Sequence, residues 1–239
     1  MRKTMKNVIL TLLIITLSAS TAFLAYLHFF ASGDRNPSGE WVTELDMTEQ
    51  AAVTALDWLQ DIEAISVSLE DVESRMQNLT IQVNLTLEQT DNSKGTFHCN
   101  VLPESYDACH QAAYEAFAAA FRELLAERLR MAGYTDGTDE EAVETLVTET
   151  FGMSTVSYLM SCGPALLPSL EELQIEYDGS GVYEATGDIL TRQFDTDGNA
   201  IIKERYIRHR SSLVLSKEMD SDAAAFSGHY PMVYTLITN

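Results

Sequence analysis

The chain is poor in basic residues, with 15 lysines and arginines against 36 aspartates and glutamates. Beyond residue 35 the imbalance grows, because 11 bases then stand against 35 acids. Binding to phosphate backbones or to anionic lipid surfaces needs clustered Lys and Arg. The composition therefore argues against nucleic acid as a partner, and it is typical of a well-solvated acidic domain.

Recognisable catalytic signatures are also missing. The sequence has no Gly-rich phosphate loop, no nucleophile elbow, no Ser-x-x-Lys pair and no His-Glu-x-x-His spacing. Repeats and low-complexity tracts are absent, which argues against a solenoid. We assign no catalytic residue and expect no cofactor. A hydrolase that uses Cys162, in its Ser161-Cys162-Gly163 setting, is a third hypothesis, well behind the two binding roles given below.

One segment lacks charge altogether. Residues 7 to 31 form an apolar run, preceded by a basic tip at residues 1 to 6 and followed by a linker at residues 32 to 38. About 20 apolar residues cross a bilayer as a helix, and basic flanks stay in the cytoplasm. We predict one N-terminal transmembrane helix, a single-pass plasma-membrane protein with a cytoplasmic N-terminus and an extracytoplasmic domain at residues 39 to 239. The alternative is a cleaved signal peptide and a secreted domain.

Apolar and polar residues alternate with a period of two in the segments on both sides of a helical block, which is typical of strands. That block is preceded by a first strand and by a short helix from Thr48 to about Leu59. A hairpin then follows, formed by Leu79–Gln89 and Thr96–Leu102. The helical insertion covers residues 103 to about 176, and we place a capping box at Thr138 and Glu141. Four later strands are predicted, at Val182–Gln193, Ala200–His209, Ser212–Lys217 and Met232–Ile237. The fold class is α+β, an antiparallel, barrel-like sheet with a helical insertion.

These strands carry short motifs that resemble the lipocalin-like (calycin) exported proteins of Gram-positive bacteria. Gly39-Glu40-Trp41 resembles the family's Gly-x-Trp signature. Further matching segments are Leu79–Leu87, Gly95-Thr96-Phe97, Ser180-Gly181-Val182-Tyr183, Gly187-Asp188-Ile189-Leu190, Leu213-Val214-Leu215 and Pro231-Met232-Val233-Tyr234.

The resemblance implies a structural role for Gly39 and Trp41 at the closed end of the barrel. In that family the tryptophan often packs under an arginine from a late strand, and Arg205, Arg208 and Arg210 are the three candidates. The expected function is a membrane-anchored binding protein that holds a small apolar ligand in the barrel, whose ligand-binding residues stay unassigned. The alternative is a structural or protein-interaction module with a filled barrel and an acidic surface.

Cysteines and acids supply the remaining candidates. Cys99 and Cys109 are a candidate disulfide in an oxidising compartment, and two free thiols are the equal alternative. No metal site is predicted. Asp195, Asp197 and Glu204 match part of the pattern of a calcium-binding loop, and they are weak candidate ligands. The flanking segments are predicted as strands, so a hairpin turn at Asp197-Gly198 explains the same residues better.

Overall fold

The computed structural model describes residues 36–60, 69–195, 200–217 and 230–238. Its centre is a closed antiparallel barrel in which each strand pairs with the next along the chain and the last pairs with the first. The strands are β1 Gly39–Asp46, β2 Thr80–Gln89, β3 Lys94–Val101, β4 Gly179–Thr186, β5 Ile189–Phe194, β6 Ile201–His209, β7 Ser212–Lys217 and β8 Met232–Leu236. The expected antiparallel barrel and its helical insertion are confirmed.

Alternation along the strands sends one set of side chains to the barrel interior. On β2, for example, Ile81, Val83, Leu85 and Leu87 are all buried, whereas the residues between them are half-buried. Closing the sheet removes unpaired edges, so no strand in the described barrel is left with a free hydrogen-bonding side.

Helices cover one end of the barrel, here called the helix end. They are α1 Thr48–Gln60, α2 Leu69–Glu73, α3 Pro103–Met131, α4 Glu140–Phe151, α5 Thr155–Cys162 and α6 Leu170–Tyr177. The last four form the insertion between β3 and β4. Asp178 Oδ1 accepts a 2.6 Å hydrogen bond from the Val101 backbone N–H, which ties together the two chain ends of that insertion. The opposite end, where β1 begins, is here called the Trp41 end.

Local signals explain several element boundaries and correct two predictions. Asp139, not Thr138, caps α4, since its side chain accepts from the Ala142 N–H at 2.8 Å. Ser169 and Glu172 form a capping box at the start of α6, which ends at Tyr177. The predicted strand Val182–Gln193 is in fact two strands, because Gly187, with φ of +66°, turns the chain between β4 and β5.

Among the described residues, no helix combines the length and the apolar character that a membrane crossing requires. The predicted anchor at residues 7 to 31 lies outside the described part of the chain. The same holds for Asp197 and for the hairpin turn predicted at Asp197-Gly198.

Candidate functional site

The Trp41 end of the barrel is built around the Gly-x-Trp segment of β1. The Trp41 side chain is fully buried, and its Nε1–H donates to the Pro37 carbonyl at 2.9 Å. Gly39 has φ of +148°, and a Cβ at this position would lie 3.2 Å from the indole. Glycine is therefore required both for its backbone angle and for the close approach of the tryptophan.

Arg208 lies over the indole face of Trp41, with its guanidinium carbon 5.4 Å from the ring centroid. Its Nη1 also donates to the backbone carbonyl of Asn36, which holds the entering chain against β6. Alternation places Arg208 on the inward side of its strand, and this is the reason it reaches Trp41.

The other two candidate arginines lie elsewhere. Arg205 points outward, is largely exposed and lies 3.9 Å from Asp188. Arg210 is exposed in the turn between β6 and β7, with φ of +51°. The structure thus brings together Gly39, Trp41 and Arg208, and it leaves Arg205 and Arg210 outside that cluster.

A pocket of about 550 Å³ opens beside this cluster. The described residues that line it are uncharged: Asn36, Pro37, Gln89, Asn92, Ser93, Tyr183, Ala185, Thr186, Gly187 and Tyr206. Two hydrogen bonds fix its walls, from Asn36 Nδ2 to Gln89 Oε1 at 2.6 Å and from the Ala185 N–H to the Ser93 carbonyl at 2.7 Å. The volume lies within the range of ordinary small-molecule sites.

Tyr183 is the buried polar residue of this pocket wall. Its side chain is 3% exposed, and its hydroxyl has no hydrogen-bond partner among the described residues. Burial raises the pKa of this phenol, with the neighbouring Tyr206 adding to the effect, so the group is a neutral donor at physiological pH. A buried hydroxyl without a partner loses its hydration without compensation, at a cost of about 1–3 kcal/mol.

A second polar cluster lies deeper in the barrel. Arg192 of β5 and Glu204 of β6 form a bidentate pair, Nε–Oε2 at 2.7 Å and Nη2–Oε1 at 2.8 Å. Tyr230 donates to Glu204 Oε1 at 2.6 Å, and the guanidinium of Arg192 lies 5.5 Å and 5.6 Å from the rings of Phe97 and Phe194. Each charged group therefore has an opposite charge or a hydrogen-bonding partner beside it.

The Cys99 thiol beside this cluster is protonated at neutral pH. Burial raises the pKa of the nearby Cys99 thiol to about 11, although the charge of Arg192 acts in the opposite direction. Burial acts to lower the pKa of Arg192, but the neighbouring Glu204 carboxylate outweighs it and raises that pKa, so the guanidinium stays charged. The Arg192–Glu204 pair is therefore an ion pair in the barrel interior.

Sequence reasoning missed Arg192, Tyr183 and Tyr230. The alternation of inward and outward residues could have identified Arg192 and Glu204. The residues two positions before and after each of them are apolar and buried, so both charges occupy inward positions. A charge at an inward strand position predicts a buried partner of opposite sign. Glu204 is thereby engaged with Arg192, and it does not extend the candidate calcium loop.

The other candidates are placed as follows. Cys99 lies buried in the barrel, Cys109 lies buried on α3, and both are free thiols, which is the second of the two alternatives for this pair. Cys162 is an exposed free thiol at the end of α5. Asp195 follows β5, and the residues that the structure describes contain no group of three His, Cys, Asp or Glu side chains with metal-binding geometry.

No family model, curated protein or solved structure matches this chain. The functional argument therefore rests on the geometry of the barrel.

Proposed function

We propose that this chain is an extracytoplasmic binding protein of lipocalin-like type, anchored by residues 7 to 31, whose barrel takes a small uncharged ligand at the Trp41 end. The ligand is rich in hydroxyl or amide groups. The uncharged lining of the 550 Å³ pocket supports this choice, because in a chain with a formal net charge of −21 the described lining residues carry only amide, hydroxyl and apolar groups.

The observation that carries the proposal is the Tyr183 hydroxyl. Tyr183 lines the pocket and its buried hydroxyl has no partner among the described residues, so we assign a ligand oxygen as the group that satisfies it. Asn36, Gln89 and Asn92 add amide donors and acceptors around the opening. Such groups fix the orientation of a polar ligand.

The apolar ligand expected from the sequence stays a prediction. The inward side chains of β1, β2 and β7 are bulky and buried, including Trp41, Leu85 and Leu213, so they occupy the barrel axis that such a ligand would fill. For this reason we place the ligand at the end of the barrel and not along its axis.

A thermal-shift screen of the full chain in detergent tests the proposal. Neutral saccharides, polyols and small amides form one arm, and fatty acids form the other. We expect a stabilising shift from the first arm alone. Tyr183→Phe should reduce that shift while leaving the fold intact, and Tyr134→Phe, at an exposed tyrosine of the helical block, is the matched control. A shift from fatty acids alone would contradict the proposal.

A protein-interaction module is the second candidate, supported by a different surface. The far end of the helical block exposes large apolar side chains, with Met131 at 82% and Tyr134 at 62%. A groove of about 610 Å³ beside them is lined partly by Asp139, Glu141 and Glu149. Crosslinking in the native membrane should capture a partner stoichiometrically through this block if the module is correct, and loss of that capture in Tyr134→Glu would locate the contact.

A further inference from the structure

The groove of the helical block combines apolar walls with carboxylates and is here called the acidic groove. Its lining includes the apolar Tyr134, Ala142 and Leu146 and the acidic Asp139, Glu141 and Glu149, and none of its described lining residues is basic. Glu141 and Glu149 form an ion pair with no Lys or Arg that the structure describes. Two exposed carboxylates therefore lie at the groove without a cation to balance them.

The sequence around the acidic groove supplies no compensating base. Between Arg130 and Arg192 the chain has no Lys, Arg or His, whereas it has 12 aspartates and glutamates. On the neighbouring α3, Arg122 pairs with Glu144 at 3.0 Å, and Arg130 Nε donates to the Ala126 carbonyl of its own helix at 3.4 Å. No base on α4, α5 or α6 balances the charge of the groove.

The apolar part of the acidic groove is open to solvent. Tyr134 is 62% exposed and Leu146 is 48% exposed, although both are large side chains that could have packed in the core. Isolated exposed apolar residues are ordinary, but several that line one groove mark an interaction surface. A partner that fills this groove would remove apolar area from water, which favours association.

The spacing of these residues on α4 indicates the shape of the partner. Glu141 and Glu149 are eight residues apart, which is a rise of about 12 Å along a helix, and Thr145 lies midway between them. Ala142 and Leu146 follow the same period one residue later, so an apolar row runs beside the acidic row. An amphipathic helix laid along the groove can contact both rows at once.

We infer that the acidic groove binds a cationic amphipathic helix of a partner protein. The apolar face of that helix packs on Tyr134 and Leu146, and its Lys or Arg residues, about two turns apart, lie against Glu141 and Glu149. The inference rests on the second candidate function, the protein-interaction module, and it names the chemistry of the partner. It is independent of the pocket at the Trp41 end. Charge complementarity selects such a helix over an acidic one.

Carboxylate labelling of the full chain in a zwitterionic detergent tests the inference, because mass spectrometry reads each acid separately. The probe is a designed helical peptide with leucine on one face and lysine at the other positions. A peptide of the same composition in scrambled order is the comparison. We expect the labelling of Glu141 and Glu149 to fall severalfold with the amphipathic peptide alone. Glu40, outward and exposed on β1, is the internal reference and should not change.

Two pairs of variants locate the contact. Glu141→Gln should raise the peptide concentration that half-protects Glu149 roughly threefold, because one exposed ion pair is lost. Glu140→Gln, at an exposed position of the same helix outside the groove, is its control. Leu146→Gln should raise that concentration roughly fivefold, because a half-exposed leucine loses its apolar contact with the peptide. Met160→Gln, at an exposed position of α5, is its control and should have no effect.

Equal labelling of Glu141 and Glu149 with and without the amphipathic peptide would overturn the inference. Equal protection by the scrambled peptide would also overturn it, since any polycation would then suffice. Protection that rises with protein concentration in the absence of peptide would show that a second copy fills the groove, which would overturn it as well. A partner captured by crosslinking through the helical block, together with acids that the peptide does not protect, would overturn the inference alone and leave the interaction module standing.

Discussion

Arg192 and Glu204 lie on neighbouring strands inside the barrel, joined by two hydrogen bonds of 2.7 Å and 2.8 Å, with 1% and 0% of their side chains exposed. A buried pair of this kind is costly to desolvate as a whole and still more costly to break, because one partner is then left as an uncompensated charge.

We predict that Glu204→Gln lowers the free energy of unfolding by about 3–5 kcal/mol, since it leaves the Arg192 charge buried without its carboxylate. The double variant Arg192→Met with Glu204→Leu should be markedly more stable than the single variant, because both charges are removed together. Urea denaturation followed by circular dichroism measures both. A Glu204→Gln variant as stable as the parent would show that the pair is open to water.

Arg208 should be the important arginine at the Trp41 end. Arg208→Ala removes the cation over the Trp41 indole and the hydrogen bond to Asn36, and we expect a loss of about 2 kcal/mol of stability with a change in tryptophan fluorescence. Arg205→Ala is the matched control from the same strand, and it should change stability by no more than about 0.5 kcal/mol. Equal losses in the two variants would contradict the assignment.

A thiol titration separates the two alternatives for Cys99 and Cys109. In the native chain we expect the exposed Cys162 to react quickly with Ellman's reagent, whereas the two buried thiols do not. Denaturation without reductant should expose three thiols. Recovery of a single thiol under those conditions would show a disulfide and would contradict the free thiols of the structure.

Stability should fall in alkali between about pH 9 and pH 11. Burial raises the pKa of Cys99 from its ordinary value of 9.0 to about 11, so over this window the unfolded chain releases a proton that the folded chain keeps. The free energy of unfolding therefore declines as pH rises, by about 2–3 kcal/mol at the upper end for this thiol. Urea midpoints across the window measure the decline.

Cys99→Val should flatten that pH dependence, and Cys162→Ser, at an exposed position, should leave it unchanged. Buried tyrosines with raised pKa values, Tyr230 and Tyr177 among them, contribute in the same direction at the upper end. The difference between parent and Cys99→Val therefore isolates the thiol. A stability that rises through this window would contradict the assignment.

The order of polar and apolar residues in the sequence determined much of this fold. Alternation along Leu79–Leu87 and the later strands fixed which side chains face inward, because side chains on a strand point to opposite faces at a period of two. The start of the helical insertion at Pro103 was equally predictable, since it depends on local backbone geometry. Val182–Gln193 was wrongly predicted as a single strand, because the turn at Gly187 lies within it.

Only the tertiary structure decided which residues meet. The sequence offered three arginines for Trp41, and the pairing of β1 with β8 together with the inward position of Arg208 selected one of them. The pairing of Arg192 with Glu204 and the pocket wall at Tyr183 likewise depend on barrel register. Local patterns set the direction of each side chain, whereas contacts between distant segments depend on how the whole sheet closes, which no local pattern encodes.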